Sequence, residues 1–172
     1  MEDSLRQSHN TQLEEIGIGS AFKETLCQML EATVLFRDFS RQEIETVVRY
    51  VHAYRAKPGT ALYIEGERNN ALALVVRGKV QVHKQTGEGQ SRHLATIRPG
   101  SVLGEISVID GFPHSATATT SEETELVMLT RQNLQRIAEE FPKLGARILW
   151  QVAWQLCARL RQTSGVLIDY LN

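Results

Sequence analysis

Between about residue 53 and residue 130, apolar residues recur at every second position in short runs, and glycine-bearing turns cut the runs apart. Pro58-Gly59, Arg77-Gly78 and Pro99-Gly100 are the turns; the runs fall at 61–64, 71–76, 80–82, 92–97, 117–119 and 125–129. Within 71–76, Leu72, Leu74 and Val76 share one face, and Val80 and Val82 continue the period of two. That period is the signature of strands. Many short strands joined by tight turns must protect their edges, and closure does so, which predicts a small β-roll or barrel.

Helical spacing flanks this segment on both sides. Phe22, Leu26, Met29, Leu30 and Thr33 lie three or four apart. Ser40 and Glu43 form an S-x-x-E capping box ahead of Ile44, Val47, Val48 and Val51, which predicts a second helix. After the strands, Thr130 is placed to cap a helix bearing Leu134, Ile137 and Phe141. Beyond Pro142, Leu149, Val152, Leu156, Leu160, Thr163, Leu167 and Tyr170 form a heptad-like seam on one long helix, broken at Gly165. The expected class is α+β: a β-roll or jelly roll (cupin-like) flanked by N-terminal helices and a long C-terminal helix. The divisions are a flexible tail at 1–20, helices plus a ligand-binding β-roll at 21–141, and a dimerisation and lid helix at 142–172.

Composition narrows the function classes. A net charge of −1 gives no reason to expect nucleic acid or an anionic membrane as partner. Its longest apolar run, 71–76, is far short of the ~20 residues that span a bilayer, and the acidic start Met1-Glu2-Asp3 is unlike a signal peptide, so the cytoplasm is expected. Cys27 and Cys157 have no metal or redox spacing and sit in apolar helical patterns, which predicts buried reduced thiols. His83 and His93 fall in neighbouring strands, with hairpin packing expected ahead of a metal pair. Trp150 and Trp154, one turn apart, are expected to pack the long helix onto the β-roll.

The densest chemistry lies in 104–118, which reads Gly-Glu-Ile-Ser-Val-Ile-Asp-Gly-Phe-Pro-His-Ser-Ala-Thr-Ala. Gly104 permits a close backbone approach before a short helical turn whose first N–H groups form an anion-binding concavity. Glu105 suits a ligand hydroxyl as acceptor, and Ser115 offers a hydroxyl proton. Gly111 and Pro113 fix the reversal that follows.

This stretch resembles the phosphate-binding cassette of the cyclic nucleotide-binding family, which includes the bacterial catabolite activator and regulatory subunits of cAMP-dependent kinase. The turns at Gly59, Gly78, Gly100 and Gly104, with a cassette of ungapped length, carry the resemblance over residues ~35–165. It implies a ligand set of Gly104, Glu105, Ile106, Ser107, His114, Ser115 and Ala116, with Gly104 and Glu105 on the ribose and Ser115 on the phosphate. The run Arg159-Leu160-Arg161-Gln162-Thr163-Ser164 is similar to the long helix of the bacterial activators, which implies that Thr163 and Ser164 reach the base, one from each subunit. His114 stands where the family carries arginine. A charge-assisted hydrogen bond is worth ~1.5–3 kcal/mol against ~0.5–1.5 for a neutral one, so binding is expected to weaken by roughly one to two orders of magnitude unless something compensates. A protonated His114 facing the phosphate would recover part of this, with affinity rising as pH falls.

The resemblance implies a cyclic nucleotide sensor; the activators place a DNA-binding domain after this helix, whereas the sequence stops at Asn172, so a stand-alone sensor without that domain is expected. It binds cAMP, with cGMP or another cyclic nucleotide as alternatives, needs no cofactor, forms a homodimer through its C-terminal helix and signals to a protein partner. The rival reading is a dimerisation scaffold that kept the fold and binds nothing. Glu105, His114 and Ser115 share one loop with no separate base or metal constellation, so catalysis is not expected.

Overall fold

The structure, a computed structural model, describes residues 13–16, 20–87 and 89–171. The elements run β1 (Leu13–Glu15), α1 (Ser20–Glu31), α2 (Arg41–Val47) with a 3-10 turn at Val48–Tyr50, β2 (His52–Ala56), β3 (Ala61–Tyr63), β4 (Ala71–Arg77), β5 (Val80–Gln85), β6 (Ser91–Ile97), β7 (Val102–Leu103), α3 (Glu105–Asp110), β8 (Thr117–Thr120), β9 (Thr124–Thr130), α4 (Arg131–Glu140) and α5 (Pro142–Leu171). All pairings are antiparallel, in a five-stranded sheet ordered β1-β2-β9-β4-β7 and a four-stranded sheet ordered β3-β8-β5-β6. The expected jelly roll with helices at both ends is present. One expectation needs correction. Within the segment 1–20 expected as a tail, Leu13–Glu15 pair with Tyr54–Ala56 as an edge strand and Ser20 opens α1; residues 1–12 lie outside the described residues.

Two cores explain the sequence pattern. Leu72 and Leu74 of β4, with Val127 and Leu129 of β9, face a helical layer that includes Leu30, Phe36, Ile44, Ile137 and Ile148. Ala71, Ala73 and Val75 of β4, with Leu126 and Met128 of β9, face Leu62, Val80 and Ile97 inside the roll. Strands covered on both faces read as continuous apolar runs, as β4 and β9 do. The helix starts follow the capping chemistry: Ser40 and Glu43 close a reciprocal capping box, and Thr130 Oγ1 accepts from the Asn133 amide at 3.1 Å.

The base of α5 is fastened tightly. Leu144, Ile148 and Val152 enter the helical core, and Arg147 meets both Glu43 carboxylate oxygens at 2.7 and 2.8 Å. Gly145 lies against α4 so closely that a Cβ there would come within 2.5 Å of Ala138 Cα. This placement revises the expected seam. Val152 and Leu156 pack inward on the chain's own core, whereas Leu149, Trp150, Trp154 and Leu160 face solvent, Trp150 at 75% exposure. The tryptophans therefore do not pack on the roll. Cys27 is buried as expected, but Cys157 is exposed on the outer stripe. The side chains of Leu167 and Tyr170 lie outside the described residues.

Candidate functional site

Gly104 ends β7 and opens α3 with φ +79°, in the left-handed region that favours glycine. A Cβ there would stand 2.6 Å from the Ala71 carbonyl oxygen and 2.8 Å from Tyr63 Oη, so the backbone passes hard against β3 and β4. That contact sinks the start of α3 into the roll and buries the Glu105 side chain, which is 3% exposed.

Glu105 is met there from the far end of the molecule. Arg159 of α5 donates one Nη to the Glu105 carboxylate and the other to the Val102 carbonyl, the latter at 3.0 Å. Burial pushes the Glu105 carboxyl above its ordinary value of 4.5, and the Arg159 charge opposes that rise. Thr163, one turn beyond Arg159, lies on the same helix face, while Ser164 follows Leu160 onto the outer face. Their hydroxyls bond back to the Arg159 and Leu160 carbonyls at 3.0 and 2.9 Å. Arg159 was readable as part of a motif but not as the group that holds Glu105; its spacing of four from Thr163 is the signal that places both on one face.

His114 is not where the sequence reading puts it. Instead of facing a phosphate, the ring is buried at 5% exposure and stacks on Tyr63, with centroids 4.1 Å apart. Its Nε2 is 2.6 Å from the Asn69 carbonyl oxygen, which only accepts, so Nε2 carries the proton. Nδ1 then accepts from Ser107 Oγ at 3.1 Å. The backbone is fastened too, since His114 N donates to Glu67 O and Gly66 N donates to His114 O, both at 2.9 Å. Burial lowers the imidazole below its ordinary 6.5, with the Asn69 hydrogen bond and Glu67 acting against that shift. His114 is thus a neutral strut between the cassette and the β3–β4 loop.

A stability effect follows. The unfolded chain takes up a proton near pH 6.5 while the folded ring resists it, so acidification below about 6.5 costs stability until the folded ring itself protonates. His114→Gln should flatten the melting temperature against pH as pH falls below about 6.5, relative to the parent. Parallel profiles for the two proteins would show that this imidazole does not titrate as placed.

The other expected residues divide. Ser107 is buried against His114, whereas Ile106 is 47% exposed. Ser115 is exposed and Ala116 half-buried at the start of β8. Lys84 Nζ of β5 sits 2.6 Å from the Ser115 carbonyl oxygen, a contact the sequence reading missed although Val80 and Val82 set the alternation that aims it. His83 and His93 do meet across β5 and β6, edge to face at 5.3 Å.

A carboxylate acceptor, a serine hydroxyl and first-turn N–H groups thus gather at one cassette, under an arginine from the terminal helix. The cyclic nucleotide-binding domain family model matches residues 54–141. The cyclic AMP receptor protein of Thermus thermophilus is 29% identical over 78% of this chain and 61% of its own length. A solved cyclic nucleotide-binding domain from Methylobacillus flagellatus superposes with a TM-score of 0.84 at 29% identity, covering 95% of this chain and 92% of that one. The catabolite activator protein of Thermus thermophilus gives 0.69 at 30% identity, over 80% and 62%. The chain spans about three fifths of the length of the Thermus receptor protein and of the cAMP-activated regulator of Mycobacterium tuberculosis. With fold, cassette and family model in agreement, this chain belongs to the cyclic nucleotide-binding domain family.

Proposed function

We propose that this domain is a cyclic nucleotide sensor that binds cAMP at the cassette and reports occupancy through α5 to a protein partner, as a homodimer. The reading is regulatory rather than catalytic, and cytoplasmic. One observation carries it: Arg159 joins the readout helix directly to Glu105, the residue expected to accept the ribose 2′-hydroxyl. A ligand hydroxyl arriving at Glu105 competes with or completes that ion pair, so binding bears on the position of α5. In this reading Thr163, on the face of Arg159, serves the same chain's ligand, and Ser164, on the outer stripe, serves a partner's.

Titration calorimetry with cAMP and its 2′-deoxy analogue tests the reading. The parent should prefer cAMP, and Glu105→Ala should weaken cAMP by at least about tenfold and abolish the preference, since a hydrogen bond to a charged group is lost. Unchanged cAMP binding in the variant would remove Glu105 from the site. The buried, neutral His114 favours a second reading, a dimerisation module that binds no nucleotide; an absence of binding to both cAMP and cGMP by a stable dimer would select it.

A further inference from the structure

The β5–β6 hairpin presents two cations beside the cassette. Val80 lies in the core of the roll and Val82 packs against it, so strand alternation puts Lys84 on that same inward face and His83 on the other. Across the ladder Lys84 pairs with Arg92, as Val82 does with Ala95. Like charges directly opposite each other on one face destabilise a sheet unless a counter-charge is near. Glu65 supplies one, with Oε1 3.1 Å from Lys84 Nζ, while its Oε2 accepts the Gln85 amide at 3.0 Å. Those contacts, the Gln85 amide first and Lys84 next, hold Glu65 below the ordinary carboxylate value. Two cations against one carboxylate leave positive charge at the rim, next to Ser115.

Building on the cyclic nucleotide reading, we propose that Lys84, backed by Arg92, is the cation that receives the ligand's phosphate at Ser115, the charge that residue 114 does not provide. His114 is neutral and spends both ring nitrogens on Asn69 and Ser107. Lys84 is already held 2.6 Å from the Ser115 carbonyl, on a half-exposed side chain. An ammonium has three donors, so it keeps Ser115 while turning another from Glu65 to a phosphate oxygen. The phosphate-binding charge thus comes from the hairpin, and Glu65 is the internal anion that the ligand displaces.

Calorimetric titration of cAMP into the full chain separates the possibilities. Lys84→Met should weaken binding by roughly tenfold or more, Lys84→Arg should stay within a few-fold of the parent, and Glu65→Gln should equal or tighten it, because the competing anion is gone. Affinity of the parent should also fall with added salt more steeply than that of Lys84→Met. Equal affinity for parent and Lys84→Met would overturn the proposal and leave the nucleotide reading intact. Equal losses in Lys84→Met and Glu65→Gln would overturn it as well, since the pair would then brace the loop rather than meet the ligand. A parent that binds neither cAMP nor cGMP would overturn both readings together.

Discussion

Arg159→Met is expected to lower stability by about 2–3 kcal/mol at pH 8, near the lower end for breaking a buried pair because solvent reaches the guanidinium. For a chain of this size that is a drop of roughly 4–12 °C in melting temperature. The cause is Glu105, which is 3% exposed in the parent and loses the cation that compensates its burial. The pH dependence has a definite sign. A carboxyl whose folded pKa lies above its unfolded 4.5 loses stability as pH rises through that interval, because the folded state holds the proton longer. Removing Arg159 raises the folded value further. The deficit of the variant should therefore be largest in alkali and shrink towards pH 5. Adding Glu105→Gln to Arg159→Met should recover most of the loss at pH 8. A deficit that does not change with pH, or that Glu105→Gln fails to repair, would mean that the arginine acts through packing alone.

In the homodimer proposed above, replacing Trp150 and Trp154 together by glutamate is expected to give a monomer without unfolding the chain. Both rings lie on the outer stripe of α5, 75% and 51% exposed, with Leu149 and Leu160 beside them. A contiguous exposed apolar stripe is the kind of surface that the proposed dimer would cover. Tryptophans buried at the centre of an interface account for about 2 kcal/mol or more each, and the double variant removes four of them from a symmetric dimer, so it should raise the dimer dissociation constant by more than about three orders of magnitude. Sedimentation analysis over a range of concentrations reads this directly, with melting temperature as the check on folding. A monomeric parent at high micromolar concentration would dispose of the homodimer. Leu156, which packs on the chain's own core, is the wrong residue for this experiment.

The roll was legible because its information is local. A period of two, glycine turns and capping boxes specify strands and helix starts within a few residues, and the structure places these elements close to where the pattern does. The cassette was legible as an ordered string of residues. What the string does not contain is direction. His114 occupies the expected position, yet Tyr63 and Asn69, 45 and more residues earlier, decide that its ring turns inward. The seam of α5 failed similarly. Leucines and valines three and four apart are found on both sides of this helix, and periodicity alone does not say which side meets the roll. The strand Leu13–Glu15 is short, polar and at an edge, so one ladder of hydrogen bonds defines it and no apolar pattern announces it.

Gly145 has a mechanical consequence. With α5 held against Ala138 at Gly145, with Leu144 and Ile148 in the helical core and with Arg147 clamped to Glu43, the first turns of α5 are fixed against sliding. Packed interfaces of this kind rotate as units rather than creep. A displacement that begins at Arg159 is therefore expected either to bend the helix beyond Leu156, its last contact with the core, or to swing α4 and α5 together about the end of β9. The first would move the distal end alone and the second would drag the whole helical layer, so the glycine converts a small change at the carboxylate into either a lever or a hinge, with no graded slippage between them.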